Sequence, residues 1–69
     1  MEISAIINMI ESCEDSLEFG TEKWYLRHWL PKLPEIKKSL QKSAKQKPDR
    51  ALTCRRCIRR INAILKAAA

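Results

Sequence analysis

Glycine is nearly absent from this sequence, with Gly20 the only one among 69 residues. Hairpin turns, phosphate-binding loops and dinucleotide-binding loops use glycine because they need positive φ angles or a close approach of the backbone. The composition therefore excludes these loops and favours helices. A chain this short has a core that rarely supplies more than about 3–5 kcal/mol of stability, so a deep active-site cleft is not expected.

Long apolar runs are also missing. No segment approaches the roughly 20 apolar residues that cross a bilayer, and Glu2 stands where a signal peptide carries Lys or Arg. The three cysteines are an odd number, which does not fit the paired disulfides of a small secreted protein. We therefore expect a soluble cytoplasmic protein with reduced thiols and no membrane partner.

Catalytic groups are scarce as well. The chain has a single histidine, and most of its carboxylates are scattered along one amphipathic segment with no obvious basic or nucleophilic partner. Charge runs of this kind are usually solvated helix faces. We predict that the protein is not an enzyme and uses no cofactor.

Charge is plentiful, and its two signs are segregated along the chain. Residues 1–22 hold six acids and no Lys or Arg, for a net charge of −6. Residues 23–69 hold all 14 basic residues against Glu35 and Asp49, for a net charge of +12. Even if every acid paired with a basic residue, six cations would remain. Some positive surface is therefore expected to face outward, toward a polyanion or an acidic protein.

Apolar residues at three- and four-residue spacing predict four helices. Their expected bounds are residues 3–19, 22–30, 34–46 and 49–66. Gly20 suits the left-handed position after the first helix, and the Thr21 hydroxyl is expected to cap the second. Pro31 and Pro34 interrupt the second helix, and Pro34 is expected at the first position of the third. Asp49 is expected to cap the last helix.

These helices predict one all-α domain over residues 1–69, a bundle of three to four helices around a single core. The first and last helices are expected to bury most of the aliphatic side chains. The predicted stripes are Ile3, Ile6, Ile7, Ile10, Cys13 and Leu17 in the first helix, and Leu52, Cys54, Cys57, Ile58, Ile61, Ile64 and Leu65 in the last. If these two helices pack antiparallel, the acidic flank of the first can pair with the basic flank of the last.

The short second helix is rich in aromatic residues, among them Trp24, Tyr25 and Trp29. We expect these rings in the core, because a chain this short has few other large side chains to bury. Two alternatives stay open. A homodimer could bury the aromatic helix, or exposed rings could stack on the bases of a single-stranded nucleic acid.

Four arginines lie within two turns of the last helix, namely Arg55, Arg56, Arg59 and Arg60. The planar guanidinium group offers a fork of donors that matches phosphate oxygens. We therefore predict a small regulatory protein that binds nucleic acid, either DNA or RNA, through phosphate contacts from this helix. Further contacts are expected from Arg50, Lys37, Lys38 and Lys66, with Lys42 and Lys45 widening the surface.

Two other interpretations of the arginines remain. The first is a solvated helix face that the acids of the first helix partly neutralise. The second is a protein–protein interaction module, such as a small inhibitor or adaptor of the phage or plasmid type, whose basic face docks on an acidic protein partner. Small size, segregated charge and the shortage of catalytic groups fit this alternative equally well.

A helix-turn-helix unit is a further hypothesis. Aligning Gly20 with the turn glycine of that motif places Thr21, Lys23 and Arg27 toward a DNA groove. The fit is partial, because Asp15 and Thr21 fall where the motif usually carries apolar residues. The acidic first helix would also repel phosphate.

The pair Cys54-x-x-Cys57 suggests a metal site, for which Cys13 and His28 are the only other Cys or His in the chain. Zinc knuckles of this spacing normally sit in a tight turn, whereas this pair lies inside a helical stripe. A thioredoxin-like redox pair is a weaker hypothesis, since no strand–helix–strand pattern surrounds it. The simplest interpretation is that the cysteines are small buried apolar groups and that His28 is partly buried and bonded to the backbone or to an acid.

Overall fold

The computed structural model describes residues 2–69, and within that range it contains helices and no strand. Four α-helices follow one another: α1 (Ile3–Phe19), α2 (Lys23–Trp29), α3 (Leu33–Gln46) and α4 (Ala51–Ala68). Short 3₁₀ turns at Leu30–Lys32 and Pro48–Arg50 join α2 to α3 and α3 to α4. The all-α prediction is confirmed, and each helix begins and ends within two residues of its predicted bounds. Every helix in this part of the chain is too short or too polar to cross a membrane.

The turn between α1 and α2 uses the single glycine as predicted. Gly20 adopts a left-handed φ of 67°, which glycine reaches without strain, and its N–H donates to the Ser16 carbonyl at 3.0 Å. The predicted Thr21 cap is wrong, because Glu22 takes the N-cap position of α2 and no side chain caps this helix. The buried Ser16 hydroxyl donates to the Glu22 carbonyl at 3.3 Å, which ties the turn to the inner side of α1.

The prolines set the starts of the later helices. Pro31 lies in the first 3₁₀ turn, and Pro34 is the second residue of α3 because Leu33 already has helical backbone angles. The predicted Asp49 cap is wrong. Arg50 holds the N-cap position of α4 with a helical backbone, whereas side-chain capping needs an extended one.

The helices α1, α3 and α4 form a three-helix bundle that runs up, down and up. Ile3, at the start of α1, and Ser43, near the end of α3, line the same opening, so these two helices run antiparallel. Leu17, near the end of α1, lies beside Ala67, near the end of α4, so this second pair is parallel. The antiparallel packing considered for the first and last helices is therefore wrong. The chain reverses its direction between α1 and α3 and again between α3 and α4, so α1 and α4 run the same way.

The core is formed by ten apolar residues from α1, α3 and α4. They are Ile6, Met9, Ile10, Cys13, Leu33, Leu40, Cys54, Cys57, Ile61 and Ile64. The predicted stripes are confirmed in most positions, with other members such as Ile58 half-buried against this cluster. The prediction is wrong for Leu52, which is 61% exposed. Leu52 precedes Cys54 by two residues and Ile61 by nine, and both offsets place it on the opposite side of an α-helix.

The aromatic helix lies at the edge of the core instead of inside it. No residue of α2 is buried, and Trp24 is 67% exposed. Tyr25 and Trp29 are half-buried and pack against the core cluster. The predicted core position is therefore wrong for Trp24, because aliphatic and thiol side chains of the three longer helices already fill the interior.

Candidate nucleic-acid interface

The outer side of α4 carries three of the four predicted arginines. Arg55, Arg56 and Arg59 are exposed on the side of α4 that faces away from its buried stripe, and Arg59 follows the adjacent Arg55 and Arg56 by four and three residues. The whole of α4 contains no acidic residue, so these guanidinium groups have no carboxylate partner within their own helix.

Arg60 is set apart from the other three arginines by an ion pair with α1. Its Nε donates to Glu14 Oε2 at 3.0 Å, and its Nη2 donates to Glu14 Oε1, which makes the pair bidentate. The hydrogen bonds that Arg60 donates to the Glu14 carboxylate raise the pKa of Arg60 above its already high ordinary value. Both side chains are more than one third exposed, so the pair contributes only about 0.5 kcal/mol. In the folded chain the Arg60 guanidinium thus joins α4 to α1.

This ion pair is the only salt bridge in residues 2–69. Neutralisation of the basic helix by the acids of α1 therefore reaches one arginine of the four. This neutralisation is confined to the side of α4 that contacts α1, where Glu14 and Glu18 lie. The other flank of α4, where α3 packs, has no acid from α1.

A groove runs between α3 and α4 on that second flank. It is lined by Gln41, Ala44 and Lys45 from α3 and by Arg55 and Ile58 from α4. Ala44 and Ile58 form its apolar floor, since both are half-buried, and Lys45 and Arg55 stand exposed at its rims.

Further exposed cations lie on the outer sides of the same two helices. Lys38, Lys42 and Lys45 lie along one ridge of α3, and Arg55 and Arg59 lie one turn apart on the neighbouring α4. We call these five residues the basic face. Residues 36–46 and 51–68 together hold nine basic residues, four in the first range and five in the second, and no acid. The basic face therefore keeps its positive charge in the folded chain.

The remaining predicted contacts lie around the basic face. Arg56 is exposed one turn before Arg60, toward the α1 flank, and Lys66 is exposed near the end of α4. Arg50 lines an opening at the other end of the bundle together with Glu2. Lys37 is half-buried in α3. Of the ten basic residues predicted to contact a ligand, Lys45 and Arg55 are the two that line the groove between α3 and α4.

The three cysteines are free thiols, and all of them are buried in the core. Cys13 Sγ lies 3.8 Å from Met9 Sδ, a contact between two soft sulfur atoms. Burial raises the pKa of Cys13 and of Cys57, so both thiols stay protonated at neutral pH. Since the thiolate is the nucleophile and the metal ligand, the interpretation as small buried apolar groups is confirmed.

The histidine lies away from these thiols. His28 is exposed on α2, and the Lys32 ammonium donates to its Nε2 at 2.9 Å. The predicted partial burial and the predicted bond to the backbone or to an acid are therefore wrong. The zinc set of Cys13, His28, Cys54 and Cys57 is not assembled, and in the described chain no three Cys, His, Asp or Glu residues cluster as metal ligands.

The second helix of the hypothetical helix-turn-helix motif, α2, is short. Thr21, Lys23 and Arg27 are exposed as the motif requires, and Gly20 forms the turn. However, α2 spans only seven residues, about two turns, and Trp24 occupies the middle of its outer side. The motif stays a hypothesis.

Sequence reasoning missed the groove and the exposed leucine beside it. The groove depends on how α3 packs against α4, which periodicity within each helix does not reveal. The position of Leu52 did carry a signal, because its offsets from Cys54 and Ile61 place it among the arginines and away from the core.

Comparison of the chain with family models, with curated proteins and with solved structures found no match. The assignment of a function therefore depends on the chain's own residues.

Proposed function

We propose that this protein binds nucleic acid, either DNA or RNA, through the basic face, and that it does so in a regulatory role without catalysing a reaction. The observation that carries the proposal is the basic face itself, which has five exposed cations on neighbouring helices. Two of them, Lys45 and Arg55, stand at the groove between α3 and α4, which no acid lines. A phosphate backbone is the ligand that such a row of cations suits best, because each contact releases a condensed counterion.

The spacing of the cations supports this proposal. Neighbours three or four residues apart on a helix lie about 5–6 Å from each other at Cβ, and packed helices lie about 8–10 Å apart. Cations on the two rims can therefore approach one backbone from both sides. An arginine guanidinium can donate hydrogen bonds to two oxygens of one phosphate, and a lysine ammonium is a compact charge on a flexible side chain.

Sequence-independent binding is the expected mode. Contacts to phosphates fix the position of a protein on nucleic acid but carry no direct information about the bases. The basic face contains no Asn or Gln, and Gln41 is the one amide that lines the groove. We therefore infer that affinity depends on salt far more than on base sequence.

A second candidate function is favoured by Leu52. This side chain is 61% exposed and lies one turn from Arg55 and Arg56. An apolar side chain beside cations is suited to anchor a protein–protein contact in which the partner carries acidic residues around the apolar pocket. The candidate is an inhibitor or adaptor that docks this part of α4 on an acidic protein.

We place either function in the cytoplasm. All three cysteines are free thiols, and none is paired in a disulfide. Free buried thiols are typical of proteins from a reducing compartment, which supports this location.

The two candidates separate in a competition experiment. Labelled duplex DNA, single-stranded DNA and RNA are titrated with the protein at low salt, and anisotropy is recorded. We expect a dissociation constant of about 1–100 µM at physiological salt and tighter binding at low salt, and we expect polyglutamate at equal charge concentration to displace the nucleic acid poorly. If no labelled nucleic acid binds even at low salt, the proposal is overturned and the acidic-partner candidate takes its place.

A further inference from the structure

The outer side of α2 carries an aromatic ring that the fold leaves uncovered. Trp24 is 67% exposed, the highest exposure among the large apolar side chains of the described residues. Its nearest aromatic neighbour is Tyr25, whose ring meets it edge to face at 5.7 Å and 78°. Most of the surface of this indole is therefore free to stack on a flat ligand.

Basic side chains lie next to this indole along α2. Arg27 and His28 follow Trp24 by three and four residues, so they lie on the same side of α2, and Lys23 precedes it. The opposite side of α2, with Tyr25, Leu26 and Trp29, packs against the core.

The charge on this side has one sign. Residues 23–32 contain three cations, Lys23, Arg27 and Lys32, and no acid. The nearest acid in sequence is Glu22, whose exposed side chain lies just outside this range at the N-cap position of α2. A ligand that suits this side must offer a flat π surface together with negative charge.

We propose that the outer side of α2 binds an unpaired nucleotide of a single strand, with the base stacked on Trp24 and the flanking phosphates neutralised by Lys23 and Arg27. This inference deepens the proposed function, on which it rests, because it adds a preference for single-stranded over duplex nucleic acid. Stacking on an aromatic side chain is available to every base but only when the base is unpaired. The basic face binds the phosphates of both duplex and single-stranded nucleic acid, whereas Trp24 stacks only on a base that is unpaired.

A second copy of the chain is the other occupant to consider for this side of α2. A symmetric dimer brings the same patch of each copy together. Lys23, Arg27 and Lys32 of one copy would then meet the same three cations of the other, at a free-energy cost from like-charge repulsion. The charge therefore favours a polyanionic strand over the homodimer that the aromatic helix first suggested.

Fluorescence tests the contact directly, because the chain has two tryptophans. The Trp29→Phe variant leaves Trp24 as the only indole reporter, and the Trp24→Phe variant leaves the half-buried Trp29. Oligothymidine is expected to quench the Trp24 reporter strongly and the Trp29 reporter weakly. Equal quenching of both reporters would overturn the proposal, and so would a change in Trp24 emission with protein concentration alone, which would indicate self-association.

Affinity gives the second readout. Trp24→Ala is expected to weaken binding of oligothymidine about tenfold, equivalent to ~1.4 kcal/mol, and binding of duplex less than twofold. Trp24→Phe is expected to fall between Trp24→Ala and the unchanged chain, since phenylalanine retains a smaller stacking surface. Because Trp24 is largely exposed, neither substitution should change the melting temperature much. Circular dichroism measures this temperature and thereby verifies that the variants fold.

The outcomes separate the two proposals. If duplex binds and Trp24→Ala weakens the binding of single strand and duplex equally, the single-strand inference fails while the proposed function stands. The same conclusion follows if Trp24→Ala weakens the binding of neither form. If no form of nucleic acid binds the unchanged chain, both fail together.

Discussion

Reversal of two charges on the basic face, Arg55→Glu with Arg59→Glu, is expected to weaken binding to duplex DNA about 100-fold. A hydrogen bond to a charged group contributes about 1.5–3 kcal/mol, and the two lost phosphate contacts together account for roughly 3 kcal/mol, which is about two powers of ten. Both side chains are exposed and have no partner in the fold, so the variant should remain folded. Anisotropy of labelled duplex at one fixed salt concentration measures the loss.

A matched variant controls for net charge. Lys47→Glu with Arg50→Glu changes the formal charge by the same amount, from +6 to +2, but acts at the turn between α3 and α4, outside the basic face. We expect this control to weaken binding only severalfold, through the long-range field. An equal loss in the two variants would show that net charge matters and that the groove between α3 and α4 does not.

Truncation in the centre of the core is expected to have the largest effect on stability. Ile61 is 0% exposed, and Ile61→Ala should lower the free energy of unfolding by about 2–5 kcal/mol. A core of this size supplies only about 3–5 kcal/mol in total, so much of the variant should be unfolded at room temperature. Urea titration followed by circular dichroism measures the shift.

The control for Ile61 is the same substitution one turn earlier. Ile58 is half-buried on the same helix, and Ile58→Ala should cost about 1 kcal/mol, because only part of its surface leaves water on folding. Similar losses at Ile58 and Ile61 would contradict the placement of the core between α1, α3 and α4.

The helices of this protein are largely predictable from sequence because their signals are local. Gly20 ends α1 in a left-handed conformation, and Pro34 stands in the first turn of α3, both as their backbone preferences require. The caps were less predictable. Thr21 and Asp49 are suitable residue types, but Glu22 and Arg50 take the N-cap positions, since the 3₁₀ turns and the tight turn after Gly20 fix where each helix begins.

The candidate site was predictable only in part, because it depends on which helices are neighbours. Periodicity identified the exposed arginines of α4, but the parallel packing of α1 and α4 decides that Arg60 pairs with Glu14. It is likewise the packing of α3 on α4 that brings Lys45 beside Arg55. Trp24 carried no clear signal, since its exposure depends on how the longer helices fill the core.

The central claim is that the basic face binds phosphates, and the salt dependence of duplex binding tests it most directly. Affinity is measured by anisotropy at several salt concentrations between about 50 and 200 mM. Five neutralised phosphates, one for each cation of the basic face, give a slope of about −4 to −5 in a plot of log affinity against log salt. A slope near zero, or no binding at the lowest salt, would contradict the claim.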